Sequence, residues 1–394
     1  MFNILAKLGT VINFAALSVT DFFAISKPAK IQENTLLLVR LDSIGDYILF
    51  RNSLETLRKS EKYRNYRITL CGNIAWKDFA ETFDNNFVDE FIWINTKKLN
   101  RNLFYRYKTL RAISRRGFET AIQPTYSREY YTGDAVIRAS QAKEKTGSQG
   151  DNGYMRPWQK RLSDCWYTHL VAASPEPMME LCRNAEFMRG LGFSSFHAGA
   201  PFIDIPQGKS SLVEDEKYYV LIVGSLIERK RWPIERFARL AEKIHDVAGW
   251  TGLICGGKND EELGEKLKNL CSAPLRNMAG KTSLSDLAKI LNNARLVVAN
   301  DTGPAHIAAA TGTPVVCILG GGHYGRFMPY QAEVESSRRL PVAVIHKMPC
   351  FGCQLNCIYK TARNMPFPCI DKITVEDVWN QVNIIIEQTK KEKK

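Results

Sequence analysis

Residues 300–306 read Asn-Asp-Thr-Gly-Pro-Ala-His, a compact set of groups suited to holding an anion. Leu296 to Ala299 just before them form an almost wholly apolar run, as expected of a strand buried on both faces of a parallel sheet. Pro304 suits the first turn of a helix, where its missing N–H costs nothing, and Asp301 or Thr302 could cap the exposed donors. A small, smooth helix then runs through Ala305 and Ile307 to Ala310 and stops at Gly312. Val315 to Leu319 follow as a second buried strand that ends in Gly320-Gly321-Gly322. This βαβ unit leaves a helix N-terminus, with its backbone donors and positive dipole end, at the carboxyl edge of the sheet. An anion with several oxygens is its natural guest. Caps alone would fit a helix in any α/β protein, but the ordered set Asp301, Thr302, Gly303 and His306 points to a site.

Two further turns carry candidate chemistry. Thr35 to Arg40 reads as a buried strand, and Leu41-Asp42-Ser43-Ile44-Gly45-Asp46 follows it into a helix from about Tyr47 to Arg58. Ligands sit at such carboxyl edges. Gly45 stands alone there, so the dinucleotide fingerprint G-x-G-x-x-G is absent and a nicotinamide cofactor is not expected. Asp46 is either a working carboxylate or only a first-turn acid favoured by the helix dipole. Farther on, the strand Tyr218 to Val223 leads into Gly224-Ser225 and the bases Arg229, Lys230 and Arg231, with Pro233 opening an amphipathic helix from Ile234 to Val247. The strand Gly252 to Cys255 leads into Gly256-Gly257-Lys258-Asn259-Asp260-Glu261 and a helix ending near Leu270.

The elements that must position these turns fill two α/β domains, which a chain of 394 residues accommodates. Arg67 to Cys71, Phe91 to Ile94 and Thr120 to Gln123 complete the strands of the first half, with helices over Trp76 to Phe83 and Glu180 to Leu191. Ser283 to Asn292 is a capped helix of the second half. Residues 141–165 are polar and weakly patterned and predict a mobile loop. The segment from Pro201 to Lys217 predicts the linker. The resulting division is 1–34 as an amphipathic N-terminal segment, 35–205 and 215–372 as two Rossmann-like domains, and 373–394 as a C-terminal helix with a basic tail.

A composition of 45% hydrophobic and 24% charged residues is globular, and a net charge of +13 points to an anionic partner. Ten cysteines in a chain of this size read as reduced thiols of a cytoplasmic protein. Cys350, Cys353, Cys357 and Cys369 are spaced so that they could hold a structural zinc ion, although the spacing is not that of a standard ribbon. The N-terminal stripe Ile4, Leu5, Leu8, Val11, Ile12, Ala15, Val19, Phe22 and Phe23 is broken by polar residues. It falls short of the roughly 20 apolar residues of a spanning helix and fits a helix lying on a membrane or on the protein itself. Between Phe91 and Phe118 there is no acid, while Lys97, Lys98, Arg101, Arg106, Lys108, Arg111, Arg115 and Arg116 all fall there. Such a run suits phosphate or lipid headgroups.

Three stretches together resemble the glycosyltransferase family 9 heptosyltransferases: LLLVRLDSIGD near the N-terminus, KRWP at Lys230 to Pro233, and NDTGPAHIAAATGTPVV at Asn300 to Val316. The cysteine segment followed by ITVEDV at Ile373 to Val378 resembles the family's ending, so the similarity spans roughly residues 35 to 380. The resemblance implies a GT-B architecture, two Rossmann-like domains facing across a cleft, here with an added N-terminal amphipathic helix. It implies inverting, metal-independent transfer of heptose from ADP-heptose to a lipopolysaccharide inner-core acceptor, with no cofactor. Carried over by position, Asp46 is the general base and Lys230 contacts the donor phosphates. Thr302 and Gly303 cradle the phosphates through their backbone, Asp301 and His306 orient sugar or phosphate, and Ser225 takes the place of a small hydroxyl residue. A ribose contact falls on Asp260 or Glu261. Arg101, Arg106 and Lys108 would meet an anionic, lipid-linked glycan at the inner face of the inner membrane. The competing readings are a relative that moves another sugar from another nucleotide, and a non-catalytic binder of RNA or anionic lipid, with nucleic acid not expected as a partner.

Overall fold

The computed structural model describes residues 2–27, 29–205, 217–331, 334–362 and 364–391, with side chains from Asn13 onward in the first helix. Among the described residues, twelve strands make two parallel sheets. The first contains β1 (Gln32–Arg40), β2 (Arg67–Asn73), β3 (Glu90–Ile94), β4 (Phe118–Gln123), β5 (Glu144–Ser148) and β6 (His169–Val171), in the order β3-β2-β1-β4-β5-β6. The second contains β7 (Tyr218–Ile222), β8 (Thr251–Cys255), β9 (Leu275–Asn277), β10 (Val297–Asn300), β11 (Val315–Ile318) and β12 (Val342–Val344), in the order β12-β11-β10-β7-β8-β9. The apolar runs at Leu36–Val39 and Val297–Ala299 are buried to within 1% because helices cover both faces of a parallel sheet.

The chain divides into two compact units. One comprises Met1–Ser43, Ser53–Glu176 and Arg183–Phe196; the other comprises Ile44–Asn52, Pro177–Cys182 and His197–Lys394. This division departs from the expected boundary between 205 and 215. The helix Ile44–Phe50, which follows β1, packs against the helix Gly303–Thr311 and so belongs to the second unit. Asn52 Nδ2 fastens that segment by donating to the Ala200 carbonyl at 2.9 Å, and the Glu180 amide donates to the Arg326 carbonyl at 2.7 Å. Residues 206–216 of the expected linker lie outside the described residues. The C-terminal helix, Val375–Lys391, is no separate segment either. Val378, Val382 and Ile386 are buried in the core of the second unit with Leu240, Ile244 and Val316.

Residues 141–165 are not the expected loop. They hold β5, an inner strand between β4 and β6, and the helix Pro157–Asp164. Gly147 of β5 has no side chain because the Tyr167 ring occupies that space; a Cβ there would stand 2.4 Å from it. The N-terminal helix spans Phe2–Ile25, with Leu17, Asp21 and Ala24 buried in the first unit. Among the described residues, no helix is long and apolar enough to cross a membrane.

Candidate active site

The site grows from the end of β10. Asn300, fully buried, accepts the Trp232 amide at 3.0 Å through Oδ1 and donates to the Val223 carbonyl at 2.7 Å through Nδ2. One side chain thus locks the β10 edge to the loop carrying Lys230. In that loop Arg231 donates to the Ser225 carbonyl at 2.9 Å, and the Arg229 guanidinium lies over the Phe367 ring. Two of the three bases are therefore structural. Lys230 is the one turned to the helix tip, where Nζ meets Asp301 Oδ2 at 2.6 Å with both side chains largely buried.

The helix Gly303–Thr311 begins at Thr302, whose side chain makes no capping bond and instead donates to the Asn300 carbonyl at 3.2 Å. Neither Asp301 nor Thr302 caps the helix as expected. The first-turn donors therefore receive no bond from the N-cap side chain. Gly303 is needed for a different reason. A Cβ at this position would stand 2.3 Å from Ile44 Cγ2, so the helix carrying Asp46 rests directly on this turn. A Cβ at Gly45 would likewise stand 3.2 Å from His306 Cδ2. Asp46 itself is half-buried in the first turn of its helix. The structure thus packs Ile44 and Gly45, the two residues before Asp46, against Gly303 and His306, with Lys230 and Asp301 in the same unit.

Gly303→Ala is expected to reduce turnover about 100-fold, because a misplacement of about 1 Å costs that much. Steady-state assays should show Ile44→Ala restoring part of the loss, since it removes the methyl that the new Cβ meets. A double variant no better than Gly303→Ala would show that the packing of these helices is not what positions the carboxylate.

His306 is buried, its ring stacked on Tyr330, with Nδ1 3.1 Å from the Tyr330 hydroxyl. Burial pushes its pKa down to about 4; Asp301 raises it and Lys230 lowers it by smaller amounts. The imidazole is thus neutral at neutral pH and serves as a wall for the Asp46 helix. An unfolded imidazole takes its proton near 6.5 and this one near 4, so its contribution to stability is complete above 6.5 and fades as the pH falls toward 4. The loss is at most about 3 kcal/mol. Urea titrations at pH 7 and pH 4.5 should show a smaller acid penalty for His306→Gln than for the parent chain; equal penalties would contradict it.

The other expected contacts separate. Ser225 is nearly buried, its hydroxyl accepting the Ile227 amide at 3.4 Å. Asp260 accepts the Gly257 amide at 3.0 Å and sits against Gly224, where a Cβ would stand 2.3 Å from its carboxyl. Asp260 is therefore built into the loop next to Ser225, whereas Glu261 is exposed. Arg101 and Lys108 are exposed in the first unit, but Arg106 is not. Its guanidinium is fully buried and held by Asp21 at 2.7 Å and the Tyr131 carbonyl at 2.8 Å, so it joins two helices and cannot meet an acceptor.

Residues 185–355 match the model of glycosyltransferase family 9 (heptosyltransferase), a span that includes Ser225, Lys230, Asp260, Asp301, Gly303 and His306 and excludes Asp46. The match covers less than half of the chain, and over that segment the chain is similar to glycosyltransferase family 9. Over 95 residues it is 37% identical to lipooligosaccharide heptosyltransferase 2 of Haemophilus influenzae, covering 23% of this chain and 27% of that protein, so the chain aligns with about a quarter of that relative's length. Two solved structures share the GT-B fold. One is a family 9 glycosyltransferase from Veillonella parvula (TM-score 0.67, 20% identity, 92% of this chain and 99% of that one). The other is the Escherichia coli ADP-heptose heptosyltransferase II (TM-score 0.65, 16% identity, 90% and 99%).

In the second unit, the cysteine segment forms one wall of a pocket that Lys230, Asp301 and His323 also line. It docks by backbone bonds, with the Gly352 amide donating to the Gly321 carbonyl at 2.8 Å and Gln354 to Gly322 at 2.9 Å. The approach is close enough that a Cβ at Gly321 would stand 2.4 Å from the Phe351 ring. The Cys369 sulfur accepts the Gly321 amide at 3.4 Å. Among the described residues, no three His, Cys, Asp or Glu side chains are arranged to hold a metal ion. Sequence reading missed two residues here. Asn300 was signalled only as a polar residue closing an apolar run, and Tyr330, in a weakly patterned loop, gave no signal.

Proposed function

We propose that this chain is an inverting glycosyltransferase that moves a heptose from ADP-heptose to an anionic, lipid-linked inner-core acceptor of lipopolysaccharide at the inner face of the inner membrane. The observation that carries this reading is the packing of the Asp46 helix on the Gly303–Thr311 helix, beside the Lys230–Asp301 pair. One carboxylate and one anion site in a single unit are what such a transfer needs. The acceptor hydroxyl gives its proton to Asp46 as its oxygen bonds to the anomeric carbon. The bond from that carbon to the diphosphate breaks on the opposite face, and the configuration inverts. The diphosphate needs no acid to leave, so a second carboxylate of the glycosidase kind has no task. Lys230 and the first-turn amides near Gly303 stabilise the negative charge that grows on it, without a catalytic metal. Arg101 and Lys108 offer exposed charge for an acidic acceptor.

Purified chain incubated with ADP-heptose and heptose-free lipopolysaccharide should release ADP and yield a glycan heavier by one heptose in mass spectrometry. Transfer only from a different sugar nucleotide would move the reading to another sugar. No transfer, together with salt-sensitive RNA binding indifferent to Lys230→Ala, would end it.

A further inference from the structure

We propose that the outward face of the N-terminal helix and of the neighbouring helix Leu103–Ser114 is a docking surface for an anionic lipid bilayer. This stands apart from the transfer reading and needs no turnover to test. The N-terminal helix is apolar on two sides. Leu17, Asp21 and Ala24 face inward and are buried, while Val19, Phe22 and Phe23, spaced to lie on the opposite side, are 55%, 61% and 58% exposed. A packed helix gains nothing by showing two phenylalanines to water, so this stripe calls for a cover.

The neighbouring helix repeats the pattern. Arg106 faces Asp21, and Arg111 donates to the Ala24 carbonyl at 3.2 Å, so the two helices run side by side in the same direction. On the far side from buried Arg106, Leu110 and Ile113, Phe104 is 67% exposed, with the Lys108 ammonium 4.5 Å from its ring centre. An aromatic ring with a cation beside it is suited to the level of lipid headgroups.

Charge selects the occupant. Lys97, Lys98 and Arg115 are exposed in the same stretch of chain, and among the described residues no ion pair to a carboxylate is seen for them. No acid occurs between Phe91 and Phe118. A second copy of a chain with net charge +13 would bring the same sign of charge to this face, whereas anionic headgroups complement it. Because no described helix is long and apolar enough to span, the helix lies along the interface.

Flotation of the full chain with phosphatidylethanolamine vesicles containing phosphatidylglycerol, against phosphatidylcholine vesicles, tests the surface. The parent chain should float with the anionic vesicles at low salt and stay behind with the neutral ones. Lys97→Gln, Lys98→Gln and Arg115→Gln together should weaken this binding roughly 100-fold or more, and Phe22→Ser with Phe23→Ser and Phe104→Ser at least about 10-fold. Unchanged melting temperature and ADP affinity would confirm that both variants fold. A parent chain that ignores anionic vesicles, or variants that float as it does, would overturn the proposal. So would an aromatic variant that turns a dimer into a monomer with flotation intact, which would mark the face as a protein interface.

Discussion

Asp46→Asn lowers turnover by about 10²–10⁴-fold, the range a positioned general base supplies, and leaves ADP affinity nearly unchanged. The substitution keeps the shape of the side chain and the first-turn position in Ile44–Phe50, and removes only the capacity to accept a proton. The rival role for this residue is that of an acid favoured by its helix dipole, which is worth roughly 0.3–1 kcal/mol of stability and nothing in rate. These two roles differ by orders of magnitude in turnover, so one experiment decides between them. Steady-state rates and calorimetric ADP binding on the same preparation suffice. Full turnover with a slightly lower melting temperature would assign Asp46 to the dipole and leave the transfer without its base.

The sequence made the frame of this site legible because apolar runs closed by glycine or proline mark buried parallel strands and helix starts. Leu36–Val39, Val297–Ala299 and Pro304 behave that way in the structure. The parts that were not legible depend on contacts distant along the chain. Ile44–Phe50 belongs to the second unit because Gly303 leaves room for Ile44, a relation that no local pattern encodes. β5 carries Lys145 and Thr146 in an inner position and so lacks the apolar run by which its neighbours are read. β6, β9 and β12 have three residues each, too few for a period to show. Arg106 has the same charge as the exposed bases around it, and only its pairing with Asp21 sets it apart. The residue types at the anion site were readable because their chemistry is local to one turn. Their partners were not.

That distinction matters most for Lys230, whose partner Asp301 lies 71 residues away and only 2.6 Å from its ammonium. Lys230→Ala is expected to cut turnover by about 10²–10³-fold and to weaken ADP binding as well, since the lysine meets charge already present in the bound diphosphate. Part of that loss comes from what is left behind. With both side chains largely buried, removing the lysine strands a carboxylate beside the incoming phosphates, and breaking such a pair costs about 3–5 kcal/mol of stability in a fully buried case. The double variant Lys230→Ala with Asp301→Asn removes the stranded charge. If Asp301 serves chiefly as counterion to Lys230, the double variant binds ADP more tightly than Lys230→Ala alone, by about tenfold, and melts at a higher temperature. If Asp301 instead holds the sugar, the double variant recovers stability but loses further turnover, because the hydroxyls it accepted from are left without it. Measuring ADP affinity, melting temperature and turnover across the four members of this cycle therefore separates electrostatic balance from sugar recognition at one position. A cycle in which the two changes simply add in all three measurements would mean that the 2.6 Å contact has no bearing on how the anion is held.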